Sequence, residues 1–226
     1  GTVLIQAGST QETSVNKLAT LYRSIVNRIY TCRLYRRLVT DMQRYDIIGR
    51  LIEKRGYTSY LEIGVLNGDT LNRINTAVRH GVDPNGRGTF TMTSDEFFAK
   101  HCNQSYDLIF IDGLHLAEQV KRDIENALTH LNHGGIIVVH DCLPTAEYEQ
   151  LREGVSGKPW TGDVWKTFAA LRASRSDLKM RVVDTDYGCG LIERGIDPTG
   201  LVTYTPIGGE YTWDFFCKWR DKIMGV

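Results

Sequence analysis

The chain has 226 residues, with 27 Lys and Arg balanced by 27 Asp and Glu, so its formal net charge at pH 7 is zero. That balance argues against a partner held by bulk electrostatics, whether nucleic acid or an anionic membrane surface. The length suits one sizeable α/β domain, alone or with a helical extension.

In chain order, Val15, Leu18, Tyr22, Ile25, Val26 and Ile29 recur at helical spacing behind Thr13 and Ser14, two N-cap candidates. A second helix is expected from Met42 to Lys54, with Ile47, Ile48, Leu51 and Ile52 apolar and Gly56 as its stop. Residues 1–55 carry ten Lys and Arg against four acids. This is the solvated face of amphipathic helices or a docking surface for an anionic substrate or partner. From "SYLEIGV" (59–65) the pattern becomes strand, turn, helix, repeated. A helix is expected to begin near Asp69, strands at "RHGVDP" (79–84) and "GTFTM" (88–92), and a helix start at "SDEFFAKHC". "YDLIFID" (106–112) reads as a buried strand. Residues 116–131 form an amphipathic helix with Leu116, Val120, Ile124, Leu128 and Leu131 on one face, stopped by Gly134-Gly135. "IIVVHD" then closes the series on two titratable side chains.

Beyond it, residues 143–160 form a long connection, the pattern of a lid or binding loop. "TGDVWKTFAALR" reads as a helix capped by Thr161, with Trp165 and Lys166 as pocket candidates and Trp165 equally at home in the core. Residues 211–223 form a terminal helix, packed on the domain or on a second subunit. Five scattered cysteines (Cys32, Cys102, Cys142, Cys189, Cys217), never in a CxxC pair, fit reduced thiols in a cytoplasmic protein. No apolar run approaches transmembrane length, and "GTVLIQAGST" lacks the basic start and long apolar core of a signal peptide.

Strands alternating with helices imply a doubly wound sheet, whose ligands bind beyond the carboxyl ends of the strands. Glu62 to Gly64, Asp83, Asp112 and the pair His140-Asp141 all fall at such ends. "EIGVLNG" fits a dinucleotide turn poorly, since Leu66 stands where a glycine is required and Glu62 would repel a pyrophosphate. S-adenosylmethionine (SAM) removes the conflict, because it carries a sulfonium and an ammonium and no phosphate. Glu62 then has cationic partners, Gly64 and Gly68 admit close approach, and Asp83 can bind the ribose hydroxyls.

"YLEIGVLNGDT", "GVDP", "MTSDEFF", "YDLIFIDGLH", "GGIIVVHDCLP", "GDVWKTF" and "VVDTDYGCGLI" together resemble a class I SAM-dependent methyltransferase of the methyltransferase domain 24 group, over about residues 45–195. The resemblance implies a Rossmann-like doubly wound seven-stranded sheet with an antiparallel last strand. It divides the chain into an N-terminal helical extension (1–55, a cap or dimer contact), a SAM-binding domain (56–195) and a C-terminal loop and helix (196–226). It also carries cofactor roles onto Glu62, Gly64, Gly68, Asp83, Ser94, Asp95 and Asp112.

In the similar catechol-type O-methyltransferases a lysine base stands three residues after a metal-binding acid, and Asp112 and His115 have that spacing here. By the same likeness Asp112, His140 and Asp141 fall on the metal ligands, and His115, His140 and Asp141 on the catalytic edge. An imidazole among the ligands favours Mn, Fe, Ni or Zn over Mg. Either a divalent metal is bound, or His140 acts on the acceptor directly. The leading expectation is O-methylation of a small hydroxylated metabolite, a sugar or a phenol, with no nucleic acid or membrane partner and a homodimer as one option. N-methylation, another metal-assisted reaction, and a SAM-binding module without turnover are the alternatives.

Overall fold

The protein is described by a computed structural model over residues 42–225, apart from 198–199, 201, 203, 205 and 207–208. The expected helix over 15–29, and most of the basic run, lie outside the described residues. The chain divides into two compact units, Gly1–Asp41 and Met42–Val226. Helix α1 (Arg44–Arg55), which the sequence assigns to the N-terminal extension, belongs to the second unit. Its Ile47, Ile48 and Ile52 are buried with Tyr60, Leu108, Phe110, Ile136 and Val138 of the sheet. Gly56 ends the helix as expected, in the left-handed region at φ 65°.

Six strands form one sheet: β1 (Ser59–Ile63), β2 (Val78–Val82), β3 (Tyr106–Ile111), β4 (Leu131–Val139), β5 (Leu178–Val183) and β6 (Cys189–Arg194), in the order β2-β1-β3-β4-β6-β5. The first four are parallel, and β6 runs antiparallel to both its neighbours. One face of β1, β3 and β4 packs on α1, and the short helix α2 (Ser94–Glu96) precedes β3. The other face (Leu61, Ile63, Ile109, Ile111, Ile137, Val139) packs on α3 (Ala117–Thr129), α4 (Val164–Ser174) and α5 (Trp213–Met224). Apolar residues on both faces explain why these strands read as continuous hydrophobic runs.

Three expectations need correction. The sheet has six strands among the described residues, not seven, because 88–92 makes a single bridge, Val82 to Phe90. Thr89 Oγ1 accepts the Gly81 amide at 3.1 Å, taking with a side chain the donor that a full ladder would need. The helix expected near Asp69 is one 3-10 turn, Leu71–Arg73. Asn72, Asn75 and Thr76 are poor helix formers, and Thr76 Oγ1 donates to Val78 O at 2.9 Å instead. Gly134 and Gly135 lie inside β4, not at a helix stop. Helix α3 already ends at Thr129, and Gly134 (φ 75°) falls in the stretch of β4 between Leu131 and Ile136 where the pairing with β3 shifts register.

Among the described residues no helix is long and apolar enough to cross a membrane. Cys102, Cys142, Cys189 and Cys217 are free thiols.

Candidate active site

The four parallel strands deliver their acids to one edge, as the winding rule requires. Asp83 follows β2, Asp112 follows β3, and His140 follows β4. β1 pairs with β2 on one side and β3 on the other, so its carboxyl end is the switch point. There Gly64 (φ 86°) sits so close to the next strand that an added Cβ would lie 2.1 Å from Asp112 O. Any side chain at position 64 would force the two strand ends apart.

Asp83 organises the turn after β1. Its Oδ2 accepts the amides of Val65 and Leu66 at 2.9 Å each, and its Oδ1 accepts Asn85 N at 2.7 Å. Those amides hold its carboxyl below the ordinary range against the opposing effect of burial. Leu66 takes φ 47° in this turn, rare for a branched side chain. Glu62 is 1% exposed and accepts from Tyr60 Oη at 2.5 Å. Burial pushes its carboxyl up to about 8. Such a group keeps its proton at neutral pH unless a cation is placed beside it.

The second cluster gathers around His140, which is 5% exposed. Its Nδ1 lies 3.2 Å from Asp112 Oδ1 and 3.2 Å from Asp141 Oδ1, and its Nε2 lies 3.4 Å from Asp186 Oδ2. His115 Nε2 is 3.4 Å from Asp112 Oδ1. His115 Nδ1 is 3.2 Å from Asp141 Oδ2, yet it is buried and not aligned to hydrogen-bond it. Arg44, from the first turn of α1, reaches Asp186 Oδ2 (3.1 Å) and Asp112 Oδ2 (3.5 Å). Three carboxylates therefore face one guanidinium and two imidazoles. Burial alone would lower both histidines, but the carboxylates outweigh it and raise them, His140 well above its ordinary value. The two imidazoles in turn hold Asp112 far below the carboxylate range against its burial.

The backbone here is bent for a purpose. Asp141 (φ 62°), Asp186 (φ 47°) and Tyr187 (φ 57°) occupy the left-handed region, costing on the order of 1–2 kcal/mol each. In Asp141 that twist swings the carboxylate out of the strand and between the imidazoles.

The connection after β4 is ordered. Glu149, 2% exposed, accepts from Thr145 N (2.6 Å) and Ala146 N (3.2 Å), while its backbone oxygen accepts Thr161 N and Gly162 N. Trp160 thereby stacks on His115, with centroids 5.0 Å apart and planes at 25°. Thr161 does not cap the next helix. Asp163 instead caps α3, accepting Ala117 N at 2.7 Å. Gly162 (φ 60°) presses on the base of His115, where an added Cβ would fall 1.9 Å from His115 O. Gly162→Ala is therefore expected to displace His115 or the loop. The melting temperature should fall by several degrees, as for a loss of about 2 kcal/mol, and methyl transfer should fall further than SAM binding. An alanine variant with wild-type melting and rate would show that this contact sets neither.

The structure brings together Asp112, His115, His140 and Asp141 from the sequence analysis, with Glu62 and Gly64 at the adjoining strand end. Ser94 and Asp95 are tied to α3, where Gln119 Nε2 donates to Ser94 Oγ (3.2 Å) and Asp95 Oδ1 (3.1 Å). Gly68 shapes the turn at φ 81°. Trp165 is core, fully buried with Nε1 donating to Gln150 Oε1 at 2.8 Å, and Lys166 sits 3.8 Å from Asp163. The sequence analysis missed Arg44, Asp186 and Trp160. The acid-rich turn "DTDYG" between two strands was a usable signal for Asp186, since it opens at the same edge.

A family model described as a methyltransferase domain matches residues 74–142. Solved structures share the fold at low identity. One described as a caffeoyl-CoA O-methyltransferase of Staphylococcus aureus aligns with a TM-score of 0.52 and 17% identity over 80% of this chain and 98% of that one. An O-methyltransferase structure from Klebsiella pneumoniae gives 0.50 and 15% over 69% and 82%. The cofactor-bound Rv0187 from MTB gives 0.50 and 16% over 85% and 100%. No curated protein matches in sequence. Sheet, family match and strand-end acids together define a class I SAM-dependent methyltransferase, an enzyme whose cofactor is SAM.

Proposed function

We propose that this enzyme methylates a hydroxyl of a small-molecule acceptor, with the Asp112–His115–His140–Asp141 cluster activating that hydroxyl. The supporting observation is the two imidazoles interleaved with carboxylates 3.2–3.4 Å away, beside the turn that ends β1. The cofactor reading rests on Glu62 and Asp83. Glu62 is a buried carboxyl in want of a cation, which the ammonium of SAM supplies. Asp83 lies just past β2 on the same edge, where its carboxylate suits a ribose hydroxyl. Gly64 lets the backbone come close at the switch point.

Bound SAM supplies an electrophilic methyl, so the protein's work is alignment and proton removal. His115 is placed for the proton: Trp160 fixes its plane, and Asp112 and Asp141 flank both ring nitrogens. Neutral imidazole is required for that step, so turnover should rise as pH passes above the ordinary histidine range, because the carboxylates raise the His115 value.

The cluster also fits a divalent ion. Asp112, His115 and Asp141 each offer a donor atom within 4.8 Å of the others, and His140 Nδ1 lies 3.2 Å from both acids. With neutral imidazoles the three carboxylates exceed Arg44 by two charges, which a divalent cation offsets. Mixed nitrogen and oxygen donors suit Mn, Fe or Zn better than Mg. Such an ion supplies Lewis acidity that lowers the acceptor pKa. We assign its holding to Asp112, Asp141 and His140, which leaves His115 free as base.

The test is S-adenosylhomocysteine formation across a panel of phenols, sugars and amines, with and without chelator. Turnover with hydroxyl acceptors, lost on chelation and restored by Mn, supports the full reading. Chelator indifference removes the metal, and amines as the sole acceptors would replace O-methylation by N-methylation.

A further inference from the structure

We infer that the acceptor carries its hydroxyl on an apolar body, seated against Leu114, Leu151 and Trp160 beside His115, and that polyols are selected against. The inference rests on the hydroxyl-methylating reading above and deepens it by naming the acceptor's class. Among the described residues the exposed large apolar side chains are Leu66, Leu114, Leu151, Val155 and Ile196. A single exposed leucine is ordinary, but apolar groups gathered at one place mark a binding surface. All but Ile196 lie on the segments that follow β1, β3 and β4, at the edge that holds the histidines and acids. Ile196 follows β6, which runs antiparallel to β4, so it falls at the opposite edge.

Contacts join two of these leucines to the base. Leu114, 54% exposed, immediately precedes His115 in a turn where Leu116 N donates to Leu114 O at 2.8 Å. The His115 ring stacks on Trp160, whose Nε1 donates to Leu151 O at 2.6 Å. Gly154 backs the indole, since a Cβ added there would lie 3.1 Å from Trp160 Cγ. Leu151, 47% exposed, therefore stands on the segment that holds the indole against the base. The polar groups that fix this loop face one another instead of the site. Thr145 Oγ1 donates to Glu149 Oε2 at 3.0 Å, and Thr161 Oγ1 donates to Glu149 O at 3.0 Å. Arg152 Nη1 donates to Glu118 Oε2 at 3.0 Å and to Asp163 Oδ2 at 3.1 Å. A polyol is recognised by several free donors and acceptors arrayed about its hydroxyls. Beside His115 the chain presents leucines and an indole, which favour a body that gains by leaving water.

The experiment titrates 4-methyl-, 4-propyl- and 4-pentylphenol, and methyl glucoside, into the full chain loaded with S-adenosylhomocysteine, by calorimetry. Affinity is expected to rise by about fourfold for each methylene covered, with no saturation by the glucoside. Leu114→Ser and Leu151→Ser should each lose most of that gradient. Both leucines are exposed, so neither change opens a cavity in the core. Ile196→Ser, at the opposite edge, should keep the wild-type gradient. Equal affinity along the wild-type series, or a gradient untouched by both serine variants, overturns the inference. A change of particle mass in light scattering, with acceptor affinity unchanged, overturns it too and makes the leucines a contact between copies. S-adenosylhomocysteine formation from the same compounds with SAM separates the two levels. Methylation of the glucoside together with ungraded phenol binding removes the inference alone. Graded binding with no hydroxyl methylated removes the reading above and the inference with it.

Discussion

Asp141→Ala is expected to lower methyl transfer on the order of 100-fold or more while SAM binding persists. Asp141 is 4% exposed and bridges the two imidazoles, Oδ1 to His140 and Oδ2 to His115, each at 3.2 Å. Removing it takes away a counter-charge from both rings and one donor from the ion site. Alanine also fits the left-handed backbone badly, so a fall in activity could be read as strain. Asp141→Asn separates the two, since asparagine tolerates that conformation and matches the size while removing the charge. Both variants should be slow by initial rates of S-adenosylhomocysteine formation, with the asparagine variant melting near wild type. In the metal version added Mn does not rescue them. In the metal-free version chelator leaves the wild type untouched, and His115→Ala or His140→Ala is as damaging as Asp141→Ala. Wild-type rates in all of these variants would mean that β4 simply ends at the surface.

Glu62→Gln should have opposite effects on the free and the loaded enzyme. In the folded chain burial pushes the Glu62 carboxyl up to about 8, against an ordinary value of 4.5. Between those pH values the folded state holds a proton that the unfolded state has lost. Stability therefore falls as pH rises through that window, by an amount on the order of a few kcal/mol. Glutamine abolishes the dependence, so the SAM-free variant should melt above wild type at pH 9 and close to it at pH 5. SAM reverses the order, because its ammonium compensates the ionised carboxylate and the variant loses that charge-assisted bond, worth about 1–3 kcal/mol. Binding to wild type at pH 7 should release a proton, read as a heat that varies with buffer ionisation enthalpy. Parallel melting curves from pH 5 to 9, with buffer-independent heats, would mean that Glu62 neither titrates there nor meets the cofactor's charge.

Much of the sheet was legible in advance. β1, β3 and β4 are buried on both faces, so they appear as unbroken apolar runs, and their ends are marked by the first acid that follows. What failed were segments decided by competition with side-chain hydrogen bonds. Residues 88–92 have strand composition, but Thr89 takes the amide that pairing would have used. The stretch after Asp69 lies where a crossover helix is customary, yet its asparagines and Thr76 favour local bonds to the backbone. Gly134 and Gly135 looked like a helix stop, whereas a bulged strand needs the same freedom.

The site divides in the same way. Sequence by itself brought Asp112, His115, His140 and Asp141 to one edge of the sheet, because in a parallel sheet the chain order of strand ends dictates which residues share an edge. The methyltransferase class was legible through the resemblance carried by blocks such as "YLEIGVLNGDT", "YDLIFIDGLH" and "GGIIVVHDCLP". Tertiary structure alone decided that Arg44, 68 residues before Asp112 in sequence, is its counter-ion. It alone decided that the β5–β6 turn returns Asp186 to His140, and that Trp160 lies flat on His115. These three come from a helix, a turn and a loop whose placement depends on packing across the sheet. No periodicity within a single segment encodes such a contact, since its geometry exists only after the segments are docked.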